Sequence, residues 1–154
     1  MRILVVSDTH GAKNSLMKAI KEQKTAEIVI HLGDGEYDLK EIKPYFPDKH
    51  FLQVKGNCDV MSTLPEREEL EFEGCKIILT HGHLFEVKRG YERIIDFARD
   101  EGAKILLFGH THTAFEKYDD GLYIINPGSL RGYKSTYATI DITDQGIVSN
   151  ILTL

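Results

Sequence analysis

The chain has 154 residues, 42% of them hydrophobic, enough for one substantial core and too few to divide comfortably into two, so residues 1–154 are read as a single domain. A formal net charge of −5, with no block of like charge, lacks the basic footprint of a surface that grips a nucleic-acid backbone, so a long polyanion is not the expected substrate. The longest apolar runs, such as 105–108 and 77–79, are strand-sized rather than membrane-spanning, Met1 leads into the first strand with no cleavable signal, and two cysteines without such a signal read as reduced thiols. A cytoplasmic location and no membrane partner are the expectations.

In chain order, residues 2–7 are strand-like, and 14–24 predict a helix with Asn14 as its cap and apolar Leu16, Met17, Ala19 and Ile20 following. Residues 28–32 predict a second apolar strand, 38–46 a short capped helix and 51–55 a third strand. This β-α-β-α-β opening favours parallel pairing. Residues 69–72 alternate, turn at Glu73 and Gly74 and continue into 76–80, the pattern of a hairpin. Residues 90–101 predict an amphipathic helix with Tyr91, Ile94, Ile95 and Ala98 on one side, leading to a strand at 105–108. Beyond it, segments 116–118, 122–126, 137–142 and 147–152 are separated by Asp119, Asp120, Gly121 and by Asp144, Gln145, Gly146. These are turn chemistries that join antiparallel strands.

Seven side chains able to bind metal fall where those strands run out: Asp8, His10, Asp34, Asn57, His81, His110 and His112. In an α/β sheet the carboxyl ends of parallel strands share one edge, so residues distant in sequence can converge on one crevice. Each has an ordinary alternative. Asp8 could cap the next helix, Asp34 between Gly33 and Gly35 could be a turn residue, and so could Asn57 after Gly56. His81 and His83 flank Gly82, and His110 and His112 flank Thr111. Two such pairs, beside two strand-end aspartates and a strand-end Asn, form a combination that separate turn and surface roles do not account for.

In this order, Asp8 with His10, Gly33 with Asp34, Gly56 with Asn57, His81 with Gly82, and Gly109 with His110 and His112 resemble the motif set of the calcineurin-like metallophosphoesterases, covering residues 8–112. The short length, the GNCD stretch 56–59, the LTHGH run 79–83 and the NPGS run 126–129 are similar to the small YfcE-like phosphodiesterase branch. The resemblance implies an α/β fold, a four-layer α/β/β/α sandwich of two mixed sheets flanked by helices, with a two-metal site at the strand ends. It implies that Asp8, His10 and His112 hold one ion, that Asn57, His81 and His110 hold the other, and that Asp34 bridges both. Asp34, Asn57 and His81 are thereby assigned to catalysis as well.

Two divalent ions bring four positive charges, and two carboxylates with a bridging hydroxide return about three, leaving an electropositive hole for a phosphate without a basic protein surface. A water bridging two metals about 3.5–4 Å apart loses a proton near neutral pH and attacks in line while both ions clamp the phosphoryl oxygens. The expected activity is therefore metal-dependent hydrolysis of small phosphodiesters. Imidazole, carboxylate and amide-oxygen ligands suit Mn²⁺, Fe, Ni²⁺, Co²⁺ or Zn²⁺, with Mn²⁺ expected to support activity.

Many members of the wider superfamily carry His after the Gly and Asn of the third motif, oriented by an acidic residue; here Cys58 and then Asp59 stand there. A thiol is a poor proton donor to an alkoxide compared with imidazolium, which predicts a bias toward esters with good leaving groups. Packing alone is the other role open to Cys58. Three residues are candidate substrate contacts: Cys58, His83, which could equally be a second support for the ligands or a solvated loop residue, and Arg131, which could be simply exposed. His31 reads as a satisfied core imidazole, His50 as surface, Cys75 as a core thiol, and Asn126 and Ser129 as shapers of their turn. A protein-interaction scaffold on the same fold, like the retromer subunit that resembles this family, is the alternative function. Oligomeric state, homo-oligomers included, is left open by the sequence.

Overall fold

The computed structural model describes residues 1–72 and 74–154. The elements run β1 (Arg2–Val6), α1 (Lys13–Glu22), β2 (Ile28–His31), α2 (Glu36–Ile42), β3 (His50–Gln53), β4 (Arg67–Phe72), β5 (Cys75–Thr80), α3 (Glu92–Asp100), β6 (Ile105–Leu107), β7 (Phe115–Asp119), β8 (Leu122–Asn126), β9 (Thr136–Thr143) and β10 (Gly146–Thr153). They build two mixed sheets, ordered β10-β9-β1-β2-β3 and β4-β5-β6-β8-β7. As the opening pattern predicts, β1, β2 and β3 pair in parallel, and β9 and β10 extend that sheet antiparallel. In the second sheet β5, β6 and β8 are parallel, with β4 and β7 as antiparallel edges.

The period-2 alternation of strand side chains assigns the layers. Ile3 and Val5 of β1, Ile28 and Ile30 of β2, Ile77 and Leu79 of β5, and Ile105 and Leu107 of β6 meet in one buried cluster between the sheets. The alternate residues Leu4, Val6 and Val29 face outward onto Leu16, Ala19 and Ile20 of α1 and Leu39 and Ile42 of α2. Ile78, Leu106 and Ile124 do the same against Ile94 and Ala98 of α3. The result is an α/β/β/α sandwich. Strands covered on both faces read as continuous apolar runs, which is why 77–79 and 105–108 carry no polar residue. Each fully buried aliphatic side chain contributes about 1.5–3 kcal/mol. No helix among the described residues is long and apolar enough to cross a membrane.

Three details depart from the sequence expectation. Asn14 lies inside α1 rather than at its cap; the cap position is Ala12, with no side-chain hydrogen bond. The second helix begins at Glu36, two residues early, and from Lys43 to Tyr45 tightens into a 3₁₀ turn where Pro44, lacking an N–H, cannot continue an α-helix. The hairpin between β4 and β5 is formed, with Gly74 at φ +74°, whereas the Glu73 half of its expected turn lies outside the described residues.

Candidate metal centre

The carboxyl ends of β1, β2 and β3 in one sheet and β5 and β6 in the other supply the loops that carry all seven proposed ligands. Five of these residues have left-handed backbone: Asp8 (φ 52°), His10 (41°), Asp34 (58°), His110 (68°) and His112 (59°). Such conformations cost about 1–2 kcal/mol per non-glycine residue and persist where surrounding structure imposes them. Here the loops brace one another. Asp8 N–H donates to Gly33 O (3.0 Å), His10 N–H to Asp34 O (3.1 Å) and Gly109 N–H to His81 O (3.1 Å). Asp8 Oδ2 accepts from Ser7 Oγ (2.5 Å) and His110 N–H (3.0 Å), tying the β1 loop of one sheet to the β6 loop of the other. Gly56 allows the closest approach, since a Cβ there would stand 2.0 Å from Asp34 Oδ1.

The ligand atoms converge in two groups. Asp8 Oδ1 is 3.1 Å from His112 Nε2 and 3.6 Å from His10 Nε2, and those two nitrogens are 3.3 Å apart. His81 Nε2 is 3.1 Å from Asn57 Oδ1 and 3.2 Å from His110 Nδ1. Asp34 Oδ2 belongs to both, 3.6 Å from His10 Nε2 and 3.4 Å from His81 Nε2. The set fits a divalent cation on three counts. Asp8 Oδ1 is buried and has no hydrogen-bond partner; the facing ring nitrogens of His10 with His112 and of His81 with His110 lie too close for both to carry a proton, so one of each presents a lone pair; and the donor atoms are of the borderline type.

The protonation of the cluster follows from its contacts. His81 Nδ1–H donates to Leu32 O at 2.6 Å, which turns Nε2 toward Asp34 as the nitrogen that a metal would take once its proton is displaced. Burial alone would lower the His81 pKa, but the Asp34 hydrogen bond and the charges of Asp8 and Asp34 outweigh it and raise it. Burial likewise disfavours the Asp34 anion, yet hydrogen bonds from His81 and the Cys58 N–H hold its carboxyl well below the usual range, so it is ionised at neutral pH. His110 is lowered to about 4, first by burial and then by the His81 charge, and is neutral.

Behind the ligands lie two carboxylates that sequence reasoning missed. Asp59, noted only as half of an absent dyad, accepts four backbone N–H groups: Asp34 (2.8 Å), Gly35 (3.0 Å), Glu36 (3.0 Å) and Gly56 (2.8 Å). It caps α2 from a distance and locks the Asp34 and Asn57 loops together, which explains the early start of that helix. Asp38 accepts from Thr9 Oγ1 (2.5 Å) and Gly11 N–H (2.8 Å), and Thr9 Oγ1 meets His31 Nε2 at 3.2 Å. His31 Nδ1 accepts Gly33 N–H (3.2 Å), and burial lowers its pKa to about 4, so it is the satisfied neutral core imidazole expected. Asn126 and Ser129 are loop shapers, as read: Asn126 donates to Gly109 O (2.9 Å), and Ser129 Oγ donates to Asp8 O (2.7 Å). The signal for Asp59 was its place two residues after Asn57.

The candidate substrate contacts divide. Cys58 is exposed and lines a cleft of about 380 Å³ with His10, Lys13, Tyr37 and Asp34. Its N–H donates to Asp34 Oδ1 at 2.7 Å, and burial, then Asp34, pushes its thiol pKa up. His83 stands beside the ligands, its ring centroid 5.4 Å from that of His81 and 6.0 Å from that of His110, with burial lowering its pKa. Arg131 is exposed, and its N–H donates to Ser129 Oγ (3.0 Å); its guanidinium makes no hydrogen bond or ion pair among the described residues. Through Ser129, whose Oγ donates to Asp8 O, its backbone adjoins the Asp8 loop.

A family model for the calcineurin-like phosphoesterase superfamily domain matches residues 1–145. A probable metallophosphoesterase of Bacillus subtilis, YsnB, is 34% identical over 134 residues, 85% of this chain and 76% of that protein. A phosphodiesterase of Methanocaldococcus jannaschii is 30% identical over 164 residues, 94% of this chain and 93% of its own. The crystal structure of a predicted phosphoesterase from Streptococcus pneumoniae superposes with a TM-score of 0.82 at 32% identity, covering 99% of this chain and 88% of that one. Zinc-complexed Vps29 of Entamoeba histolytica, at 22% identity, shares the fold with a TM-score of 0.74 and 99% coverage of both chains.

Proposed function

The chain belongs to the calcineurin-like phosphoesterase superfamily and to its small YfcE-like branch of metal-dependent phosphodiesterases, and we propose that it hydrolyses small phosphodiesters at a two-metal centre. The observation that carries this is the pairing of the orphaned Asp8 Oδ1 with an ionised Asp34 placed between two imidazole groups. Asp8, His10 and His112 would hold one ion and Asn57, His81 and His110 the other, with Asp34 shared. Divalent ions held there would supply Lewis acidity, lowering the pKa of water as nucleophile and balancing the charge of the phosphoryl oxygens.

The chain's own residues set that chemistry up. Asp34 keeps its negative charge at working pH through the Cys58 N–H and His81. Leu32 O orients His81, and the neutral His110 offers a lone pair. Asp34, Asn57 and His81, which meet at the shared side of the cluster, are the catalytic residues of this reading. Cys58 and His83 border the site as substrate contacts, and the exposed Arg131 is the third candidate contact. Mn²⁺ is the metal expected to support activity. Residues 1–154 act as one cytoplasmic domain, and the net charge of −5 favours small substrates over nucleic-acid polymers.

The test is a hydrolysis panel on Mn²⁺-reconstituted protein spanning aryl phosphodiesters, cyclic nucleotides, dinucleotides and monoesters. Turnover of diesters, reduced about a hundredfold or more in Asp34→Asn, is the expected result; inactivity on the whole panel, or full activity in Asp34→Asn, would end the reading. The second reading, an interaction scaffold, is favoured by the Vps29-like fold and by exposed Val60 and Met61 beside Cys58. Inactivity of the metal-loaded protein would favour it.

A further inference from the structure

A groove of about 690 Å³ has Thr111, the residue between His110 and His112, in its lining. Its walls are Tyr91 and Phe115, with ring centroids 4.9 Å apart in an edge-on arrangement. Tyr91 also packs edge-on against buried Phe108 at 5.0 Å, which holds the pair in place. Both groove rings are half-buried, leaving part of each ring to a ligand. On the rim, Val87 is buried, with Gly82 and Phe108 close by, and so anchors the loop that carries Lys88. Lys88 is exposed and makes no hydrogen bond or ion pair among the described residues. The other groove cations are engaged: Arg89 with Glu86 (2.9 Å) and Lys117 with Asp119 (3.1 Å).

We propose that this groove binds the nucleoside part of a phosphodiester whose phosphoryl group sits at the metal centre, with the base against Tyr91 and Phe115 and Lys88 on the groove's rim. The inference rests on the phosphodiesterase reading of that centre. Three features choose a nucleoside. Aromatic walls favour a planar π-system, which every nucleobase presents. The volume lies in the range of sites for drug-sized ligands, and a lone nitrophenyl ring would leave much of it unfilled. An unpaired ammonium on the rim of the groove supplies local positive charge for an anionic ligand on a chain whose net charge is negative.

The probes are adenosine monophosphate and inorganic phosphate, titrated into zinc-loaded protein and followed by amide NMR. Adenosine monophosphate is expected to shift Lys88, Tyr91 and Phe115 together with the metal loops, whereas phosphate shifts the metal loops alone. Phe115→Leu should weaken the nucleotide relative to phosphate by about tenfold, the scale of one base–aromatic stack. The surface variant Lys88→Ala, which leaves the core intact, should weaken it by about three- to fivefold. Nucleotide shifts confined to the loops of His10, Asp34 and Cys58, or an affinity ratio unchanged in both variants, would overturn the proposal. Absent turnover on every diester is a separate result: it sinks the phosphodiesterase reading, while these binding shifts are read without turnover.

Discussion

Leaving a buried carboxylate oxygen without a hydrogen bond costs on the order of 1–3 kcal/mol or more, and Asp8 Oδ1 is such an atom. Its companion Oδ2 is fully used by Ser7 and His110, so the side chain is not loosely placed; one oxygen is held and the other presented. The same division marks Asp34, whose Oδ1 accepts the Cys58 N–H while Oδ2 faces His10 and His81. Cys58 thus contributes through its backbone. Its thiol is left in the cleft beside His10 and Asp34, with a pKa raised by burial and by Asp34. A thiol so placed stays protonated at neutral pH and gives little help to a departing alkoxide. Cys58→His is therefore expected to raise kcat/KM for alkyl esters by about tenfold or more, short of the about 10²- to 10⁴-fold of an evolved general acid, with a smaller change for nitrophenyl esters. A leaving-group dependence identical to that of the parent protein would show that position 58 has no part in proton donation.

At the scale of elements, the centre is an assembly of strand-end loops held in left-handed backbone, and Asp59 is the part that joins three of its segments. By accepting N–H groups from Asp34, Gly35, Glu36 and Gly56, it replaces the local cap that α2 lacks, since Gly35 has no side chain to serve. Asp59→Ala should lower metal-free stability by about 2–4 kcal/mol in urea titrations, given four charge-assisted bonds, some of which water replaces. It should also weaken metal by about ten- to a hundredfold in chelator competition, as expected when ligand loops lose their support. Parent-like values in both measurements would mean that the loops are held by other contacts. The sequence disclosed the strands and the candidate ligands at their ends for one reason: apolar runs followed at once by Asp, His or Asn mark a strand end and a donor together. It disclosed neither Asp59 nor Asp38, because their work depends on which N–H groups are brought near them from elsewhere in the chain. Asn14 misled for the converse reason. A good capping residue type stood one position inside a helix that has no side-chain cap.

At the scale of the molecule, the ligands come from both halves of the sandwich. Asp8, His10, Asp34 and Asn57 follow strands of the first sheet, and His81, His110 and His112 follow strands of the second. The apolar cluster between the sheets already joins them along their length, so bound metal adds a clamp at one edge and draws together loops that otherwise face each other with bare acceptors. Binding to the folded state alone stabilises by mass action, about 4 kcal/mol when free metal is a thousandfold above its Kd. For a chain of this size each kcal/mol moves Tm by about 2–4 °C, so chelation should lower Tm by about 8–16 °C in calorimetry. Asp34→Asn removes the shared carboxylate and should shrink that difference without unfolding the protein, since the amide retains the Oδ1 acceptor used by the Cys58 N–H. A protein shown by elemental analysis to carry metal, yet melting at the same temperature before and after chelation, would mean that the ions do not bridge the two sheets in the way the seven ligands require.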